Sequence, residues 1–273
     1  AEKEIIGSKI LGIHLEGPFL NKEKKGGHQE KYLKSPDKNF FDELYRISKG
    51  SIKILSLAPE LENAYELIKY VSEKGVIVGL AHSTANYKVT KEAFTNGLQL
   101  CTHLFNGMIG ITHKEPGPIG AFLTTPGTFI EIITDGVHIV PPILEIIYKS
   151  KSSEELIIIT DSVRPTGTNN KKFEILGMEL EVRGNSCYVP NTNNLAGSAL
   201  TMNIAVKTFI ESTSCSIVEA INMASLNPAR LLKIDDKKGS IEVGKDADLI
   251  LTDEHYNVFL TIVEGKIVYR RHE

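Results

Sequence analysis

Three properties of this 273-residue sequence predict an α/β protein of the TIM-type (β/α) barrel kind. Short apolar runs alternate with helix-like segments from residue 10 to residue 162. The runs are apolar at successive positions, which marks strands buried on both faces, as in a parallel sheet covered by helices. Four of them lead into polar groups. Glu16, His82, His103 and Asp161 stand at or just past the C-terminal ends of ILGIHLE, VIVGLAH, LQLCTH and LIIITD. A barrel collects its active-site side chains at that end of its strands. An open doubly wound sheet would carry a glycine-rich phosphate turn after an early strand, and the sequence has none.

Each element has its own signal. Residues 10–16 read as a strand. Residues 40–49 (FFDELYRISK) read as a helix, with Phe40, Phe41, Leu44 and Tyr45 at helical spacing. Residues 51–59 are a strand, and residues 61–75 a helix stopped by Gly75. Residues 76–82 are a strand, residues 86–97 a helix ending at Gly97, and residues 98–105 a strand. Residues 127–136 form another strand. Residues 141–150 form a helix with prolines at its start, where a missing N–H costs nothing. Residues 155–162 are the last strand of this series. The series stops at six strands, whereas a closed barrel of this kind has about eight.

Beyond Asp161 the pattern changes. Residues 172–190 alternate and read as a hairpin insert turning at Arg183-Gly184-Asn185. Residues 195–212 read as helix. Residues 216–224 read as helix too, with the capping-box spacing of Ser216 and Glu219. Residues 239–271 read as short strands, a small β appendage. Two units follow: a barrel over 1–236 that includes the insert, and C-terminal strands of a small β-sandwich over 237–273.

Composition narrows the function. The chain is 24% charged and 41% hydrophobic with a net charge of −3. That balance suits a soluble enzyme and gives no bulk field for nucleic acid or an anionic membrane. No apolar run approaches the roughly 20 residues of a membrane helix, and the start, AEKEIIGSKI, has no signal-peptide core. Cys101, Cys187 and Cys215 are too scattered for a disulfide framework or a zinc knuckle, which suits a reducing cytoplasm.

The chemistry lies in the strand-end residues. His82 and His103 are one strand-to-strand repeat apart, so they should stand at one height on neighbouring strands. With Glu16 they make two imidazoles and a carboxylate, a donor set for one divalent ion, Zn or Fe, with an open position for water. Asp161 suits a proton carrier, although a helix N-cap is its plain structural role. His14 shares a strand face with Glu16 and reads as a hydrogen-bonded interior residue. His28 sits in the loop KKGGHQ, where substrate contact and simple surface exposure are both open. For His138 in TDGVH the alternatives are a site role and a loop contact to backbone. For Lys114 in HKEPG they are an anion contact and simple solvation.

HLEGPFL, KKGGH, AHST, THLFNGM, HKEPG, TDGVH, TDS, LAGSALTM, NPARLL and GSIEVGKDADLILTD occur in this order. In that order and spacing the chain resembles the N-acetylglucosamine-6-phosphate deacetylases of the amidohydrolase superfamily, over nearly its whole length. The resemblance implies a metal-dependent (β/α) barrel that hydrolyses the acetamide of N-acetyl-D-glucosamine 6-phosphate. It implies Glu16, His82 and His103 as metal ligands, Asp161 as general base and acid, and His28 as the group polarising the acetamide carbonyl. Asn106 and Gly107 fall where the phosphate is contacted. Lys114 falls where an arginine reaches the phosphate across a dimer interface, and His138 falls in the sugar site. Leu195, Ala196, Gly197 and Ser198 line the acyl pocket. A cytoplasmic homodimer is implied, with a phosphorylated amino sugar as its small-molecule partner and neither nucleic acid nor membrane.

The sequence departs from the pattern in places. Lys114 keeps the charge of the arginine without its two-pronged fork. Ala81 stands for a common Gly, Gly107 for a common Ala, and Ser162-Val163-Arg164-Pro165 for a smaller, more apolar stretch. The resemblance also implies roughly a hundred residues ahead of residue 1. They would carry the first barrel strands, part of the small β-domain and the means to bind a second metal. Two alternatives stand beside the main reading: a deacetylase of another N-acetylated amino sugar, and a truncated, inactive homologue.

Overall fold

The computed structural model describes residues 7–175 and 177–271. Six short strands form one parallel sheet in chain order: β1 (Ile13–Glu16), β2 (Ile52–Leu57), β3 (Ile77–Leu80), β4 (Leu98–Cys101), β5 (Phe129–Ile133) and β6 (Leu156–Ile159). All five pairings are parallel and between sequence neighbours. Each of the five crossovers carries one α-helix, preceded by two 3-10 turns in the first and followed by one in the last. These helices are α1 (Lys38–Ile47), α2 (Ala64–Glu73), α3 (Tyr87–Thr95), α4 (Gly117–Leu123) and α5 (Pro141–Ser150).

Among the described residues β1 and β6 are the sheet's two edges and do not pair with each other, so the wall is an open arc of the six strands that the sequence count predicts. The arc is strongly curled, because one cavity is lined from both edges, by His14 and Glu16 of β1 and by Ile159 of β6. Closure requires further strands between those edges, and the described chain supplies six of the usual eight or so.

Local signals explain why the helices form where they do. Asp37 caps α1, its Oδ1 accepting from the Phe40 N–H at 2.6 Å, and Asn86 caps α3 by accepting from the Val89 N–H at 2.9 Å. Such a cap stabilises a helix by about 1 kcal/mol. The core lies between the sheet and these helices. Phe19, Phe41, Phe122 and Leu57 are fully buried there, and the Phe94 ring meets Phe122 edge-on at 4.9 Å.

The insert is larger than a hairpin. It is a four-stranded antiparallel sheet of β7 (Lys172–Ile175), β8 (Met178–Arg183), β9 (Ser186–Tyr188) and β10 (Leu195–Ser198). The expected turn at Arg183-Gly184-Asn185 joins β8 to β9. The helix expected from residue 195 is corrected: Leu195–Ser198 is a strand paired with β9, and helix α6 (Met202–Ser212) begins only afterwards. Helices α7 (Ile217–Ala224) and α8 (Leu226–Leu231) follow, and the capping box of Ser216 and Glu219 opens α7.

The appendage is an antiparallel sheet of β11 (Leu249–Thr252), β12 (Val258–Val263) and β13 (Lys266–Arg270). The strands expected from residue 239 start ten residues later, because Gly239, Gly244 and their neighbours run as turns. Residues 1–6, part of the start that reads as lacking a signal-peptide core, and residues 272–273 lie outside the described residues. No helix among the described residues is long and apolar enough to cross a membrane.

Candidate metal centre

Parallel strands end at the same rim, and the chain bends sharply there. His82, His103 and Asp161 each follow their strand by two residues and adopt left-handed backbone, with φ of 46°, 34° and 48°. That conformation is costly for a side chain other than glycine and is kept where a site needs it. Glu16 ends β1 and is followed by Gly17 at φ 80°.

The bends bring three donors together. Glu16 Oε1 lies 2.6 Å from His103 Nε2 and 3.1 Å from His82 Nε2. The three ligand-type atoms all lie within 4.8 Å of one another. His28 arrives from the loop after β1, with Nε2 3.1 Å from Glu16 Oε2. His82 is 8% and His103 5% exposed, so both rings are sheltered from water.

The proton on one ring is fixed by geometry. His82 Nδ1–H donates to the Lys24 main-chain oxygen at 2.6 Å. In the form that would bind a metal, Nε2 then presents its lone pair beside Glu16; with a proton on Nε2 it donates to Glu16 instead. A lone pair facing a carboxylate oxygen is repulsive unless a cation lies between them, and an imidazole held by its other nitrogen is the usual form of a metal ligand. Two imidazoles and a carboxylate fit a divalent ion of the zinc or iron type. His103 is not pinned in the same way: its Nδ1 is buried with no hydrogen-bond partner among the described residues.

Electrostatics bear the same stamp. Burial pushes the Glu16 carboxyl up, but hydrogen bonds from His103, His28 and His82 outweigh it and hold Glu16 far below the usual carboxylate range. Burial lowers His103, and the hydrogen bond and charge of Glu16 more than reverse this, raising it to about 9. Burial pushes Asp161 upward. The imidazoles and the carboxylate hold protons between them, and a divalent ion bound at the same point would displace those protons, because metal ligation uses the deprotonated donors.

A cavity of about 420 Å³ opens over this centre, lined by Glu16, His103 and Asp161 with Thr102, Ser162 and Met202. Asp161 thus faces the Glu16–His103 pair from the opposite edge of the arc. Strand β10 lies beside it: the Ser198 N–H donates to the Asp161 main-chain oxygen at 2.8 Å, and the Val163 N–H returns to the Ser198 oxygen at 2.8 Å. Gly197, at φ 73°, is needed in this packing, because a Cβ there would stand 2.7 Å from Val163 Cγ1 and 3.1 Å from the Asp161 oxygen.

The other candidates are placed less centrally. Asn106 turns its amide back onto the His103 and Leu104 oxygens at 3.3 and 3.1 Å, bracing the turn that carries His103. Gly107 lies under the His82 ring, with room for no Cβ: one would stand 2.5 Å from Nδ1. Lys114 lies exposed on the loop before α4, away from the cavity lining. His138 is held by Asp135, its Nδ1–H donating to Oδ2 at 2.7 Å. Leu195, Ala196 and Gly197 are half-buried along β10, and Ser198 is buried.

Sequence reading passed over several residues that build the site. Glu131 of β5 lines the cavity from below, and burial pushes it up to about 8. A charge inside the apolar run FIEII was the available signal. His14 is hydrogen-bonded as expected, with Nε2 2.7 Å from Ser56 Oγ and Ser56 2.6 Å from Thr102 Oγ1, but it lies on the exposed edge strand against the cavity rather than in the interior. Burial pushes it down to about 4.

The amidohydrolase family model matches residues 3–268. The chain belongs to the amidohydrolase family. This amidohydrolase is similar to N-acetylglucosamine-6-phosphate deacetylase of Bacillus subtilis, at 37% identity over 98% of this chain and 67% of that protein. It is similar to the enzyme of that name from Rattus norvegicus at 35% identity, again over 98% and 67%. It also resembles N-acetylgalactosamine-6-phosphate deacetylase of Escherichia coli O157:H7, at 33% identity over 96% of this chain and 69% of that protein. The amidohydrolase therefore spans about two thirds of the length of these relatives. Among solved structures it superposes on N-acetylglucosamine-6-phosphate deacetylase from Thermotoga maritima with a TM-score of 0.87 at 34% identity, covering 96% of this chain and 70% of that one. A variant of the Mycobacterium smegmatis enzyme, in complex with N-acetyl-D-glucosamine-6-phosphate, superposes with a TM-score of 0.90 at 30% identity, over 94% and 68%.

Proposed function

We propose that this amidohydrolase is a metal-dependent deacetylase that hydrolyses N-acetyl-D-glucosamine 6-phosphate to glucosamine 6-phosphate and acetate. The observation that carries the reading is the convergence of Glu16, His82 and His103 at one rim, with Asp161 facing them across a single cavity. The likeness to deacetylases of this name over nearly the whole chain supports the substrate.

Glu16, His82 and His103 would hold the ion. A divalent ion bound there supplies Lewis acidity, making water more acidic and drawing electron density from a carbonyl oxygen. The chain's own groups do the rest. Asp161 takes a proton from the attacking water and returns it to the departing nitrogen. A bond forms between the water oxygen and the amide carbon, the C–N bond breaks, and acetate and the amine leave. Burial raises Asp161 above an ordinary carboxyl, which suits a group that must hold a proton between two steps. His28, beside Glu16, is assigned to donate to the carbonyl oxygen as negative charge develops on it.

Asn106, Gly107, Lys114 and His138 are assigned to the phosphorylated sugar, and Leu195, Ala196, Gly197 and Ser198 to the acyl pocket. We assign a homodimer, a catalytic unit over 1–236 and a β unit over 237–273. A reducing cytoplasm suits Cys101, Cys187 and Cys215, which are all free thiols.

The galactosamine relative favours one second reading, in which the sugar is the 4-epimer. Acetate release by the zinc- or iron-loaded chain separates the readings. N-acetylglucosamine 6-phosphate should be the best substrate, ahead of its galactosamine epimer and of unphosphorylated N-acetylglucosamine. A metal-loaded chain that releases no acetate from any of the three sinks the proposal.

A further inference from the structure

Glu60 lies three residues beyond β2, outside the cavity lining, and nothing in its local sequence, APEL, marks it as functional. Its carboxylate gathers four hydrogen bonds from two other loops. Oε1 accepts from the Thr84 N–H at 2.6 Å, from Thr84 Oγ1 at 3.1 Å and from Asn21 Nδ2 at 2.9 Å. Oε2 accepts from Ser83 Oγ at 2.7 Å.

These donors bracket His82. Ser83 and Thr84 follow it directly. Asn21 sends its N–H to the His82 main-chain oxygen at 3.0 Å and its amide to Thr84 Oγ1 at 2.8 Å. The Ser83 N–H in turn donates to the Gly107 oxygen at 2.9 Å, tying the same turn to the loop after His103. His82 is the residue in left-handed backbone, and such a residue persists only where its surroundings over-determine it. Beside these backbone bonds, four of the hydrogen bonds around the turn converge on one carboxylate. The two carboxyl oxygens together offer enough lone pairs for all four donors.

We propose that Glu60 is a positioning residue for the metal centre: its carboxylate fixes the turn at His82 and thereby aims Nε2 at the point shared with Glu16 and His103. The role rests on the reading that these three residues hold a divalent ion. It touches neither ion nor substrate, so its signature is in how tightly and in what geometry the ion is held. Outer partners of metal-ligating imidazoles are worth about 10–100-fold in affinity.

The test is made on the whole chain with the metal alone. Zn²⁺ affinity is measured by competition with a chromophoric chelator, and ligand geometry by the visible absorption of the Co²⁺-loaded protein. Glu60→Ala should bind Zn²⁺ about 10–100-fold more weakly and shift the Co²⁺ bands. Glu60→Gln, which keeps one acceptor oxygen, should fall between it and the parent. Glu62→Ala, an exposed acid on the same loop, should match the parent. Folded Glu60 variants that bind Zn²⁺ as tightly as the parent, with unchanged Co²⁺ bands, overturn the role. If Glu60→Ala does not fold, Glu60→Gln alone decides on the same criterion. A parent chain that binds neither ion overturns the metal reading itself, and this role with it, and so is told apart from a failure confined to the variants.

Discussion

His82 and Lys24 are joined by a 2.6 Å hydrogen bond from the imidazole Nδ1–H to the main-chain oxygen. The contact makes the loop that carries His28 part of the support of a metal ligand. Because the acceptor is backbone, the Lys24 side chain is dispensable to it. Lys24→Ala should therefore hold Zn²⁺ within about twofold of the parent, whereas His82→Ala removes one of three donors and should lose at least about 100-fold. Chelator competition on both variants checks this. Equal losses would mean that the bond is not what orients the ring.

Asp161 illustrates a site residue that is costly to the fold. Burial raises its carboxyl above the ordinary aspartate value. The folded state therefore binds its proton more tightly than the unfolded state does, and stability falls as pH rises from about 3.9 through the raised value. Asp161→Asn is neutral at every pH. In the metal-free protein at pH 7 it should melt above the parent, and the advantage should shrink toward pH 4. The same variant should lose about 10²–10⁴-fold in kcat while keeping its metal, because the proton carrier is gone. Retained turnover would remove Asp161 from the mechanism. Thermal melts across pH, metal analysis and acetate release give the three readouts.

Asp135 behaves in the opposite sense. Its side chain is fully buried, and Oδ2 accepts from His138 Nδ1–H and from Ser186 Oγ, both at 2.7 Å. Burial pushes the carboxyl up, but the bonds and charge of His138 together with the Ser186 bond outweigh it and bring it down to about 2. A depressed carboxylate stabilises the fold above its unfolded value and loses that stabilisation as pH falls from about 4 toward 2. The shift corresponds to about 2 kcal/mol at neutral pH. Urea unfolding should show Asp135→Asn weaker than the parent by about that amount at pH 7, with the gap closing in acid. Ser186 comes from the insert sheet, so Ser186→Ala should lose about 1 kcal/mol by freeing that anchor. A pH-independent gap in Asp135→Asn would show that the carboxylate is not ionised by its partners.

Legibility followed how local the determining interactions are. Strands β2 to β6 were readable because burial writes an almost continuous apolar run into each, whereas β1 at the edge of the arc carries its run with no residue buried. Glu16, His82, His103 and Asp161 were readable because strand ends are where such runs meet polar residues. Helix α4 was not: GPIGAFL is buried at every position, so it has no polar face to set a helical period. Residues 195–198 looked helical from their alanine and leucine content, yet pairing with β9 makes them a strand, a case of tertiary context overriding propensity. Glu60, Asp135 and Ser186 were invisible for a related reason. Their partners are hydrogen-bond donors or acceptors brought from distant loops, and no spacing rule reports them.

Asn227, in the NPARLL segment, ties the C-terminal helices to the edge of the arc. It is 1% exposed, and its Nδ2 donates to the Ser153 and Leu156 oxygens, each at 2.7 Å. Leu156 opens β6, the strand that leads to Asp161. Replacing Asn227 by Ala leaves those two oxygens without this donor and opens a small gap beside them. Unmet buried acceptors cost about 1–3 kcal/mol each, and partial solvation should bring the total to about 2–4 kcal/mol. Denaturant unfolding measures the loss directly. Because the anchored strand positions Asp161 rather than the ion, the folded fraction of Asn227→Ala should keep parent-like Zn²⁺ affinity. Weakened ion binding at full folding would instead place Asn227 in the support of Glu16, His82 and His103.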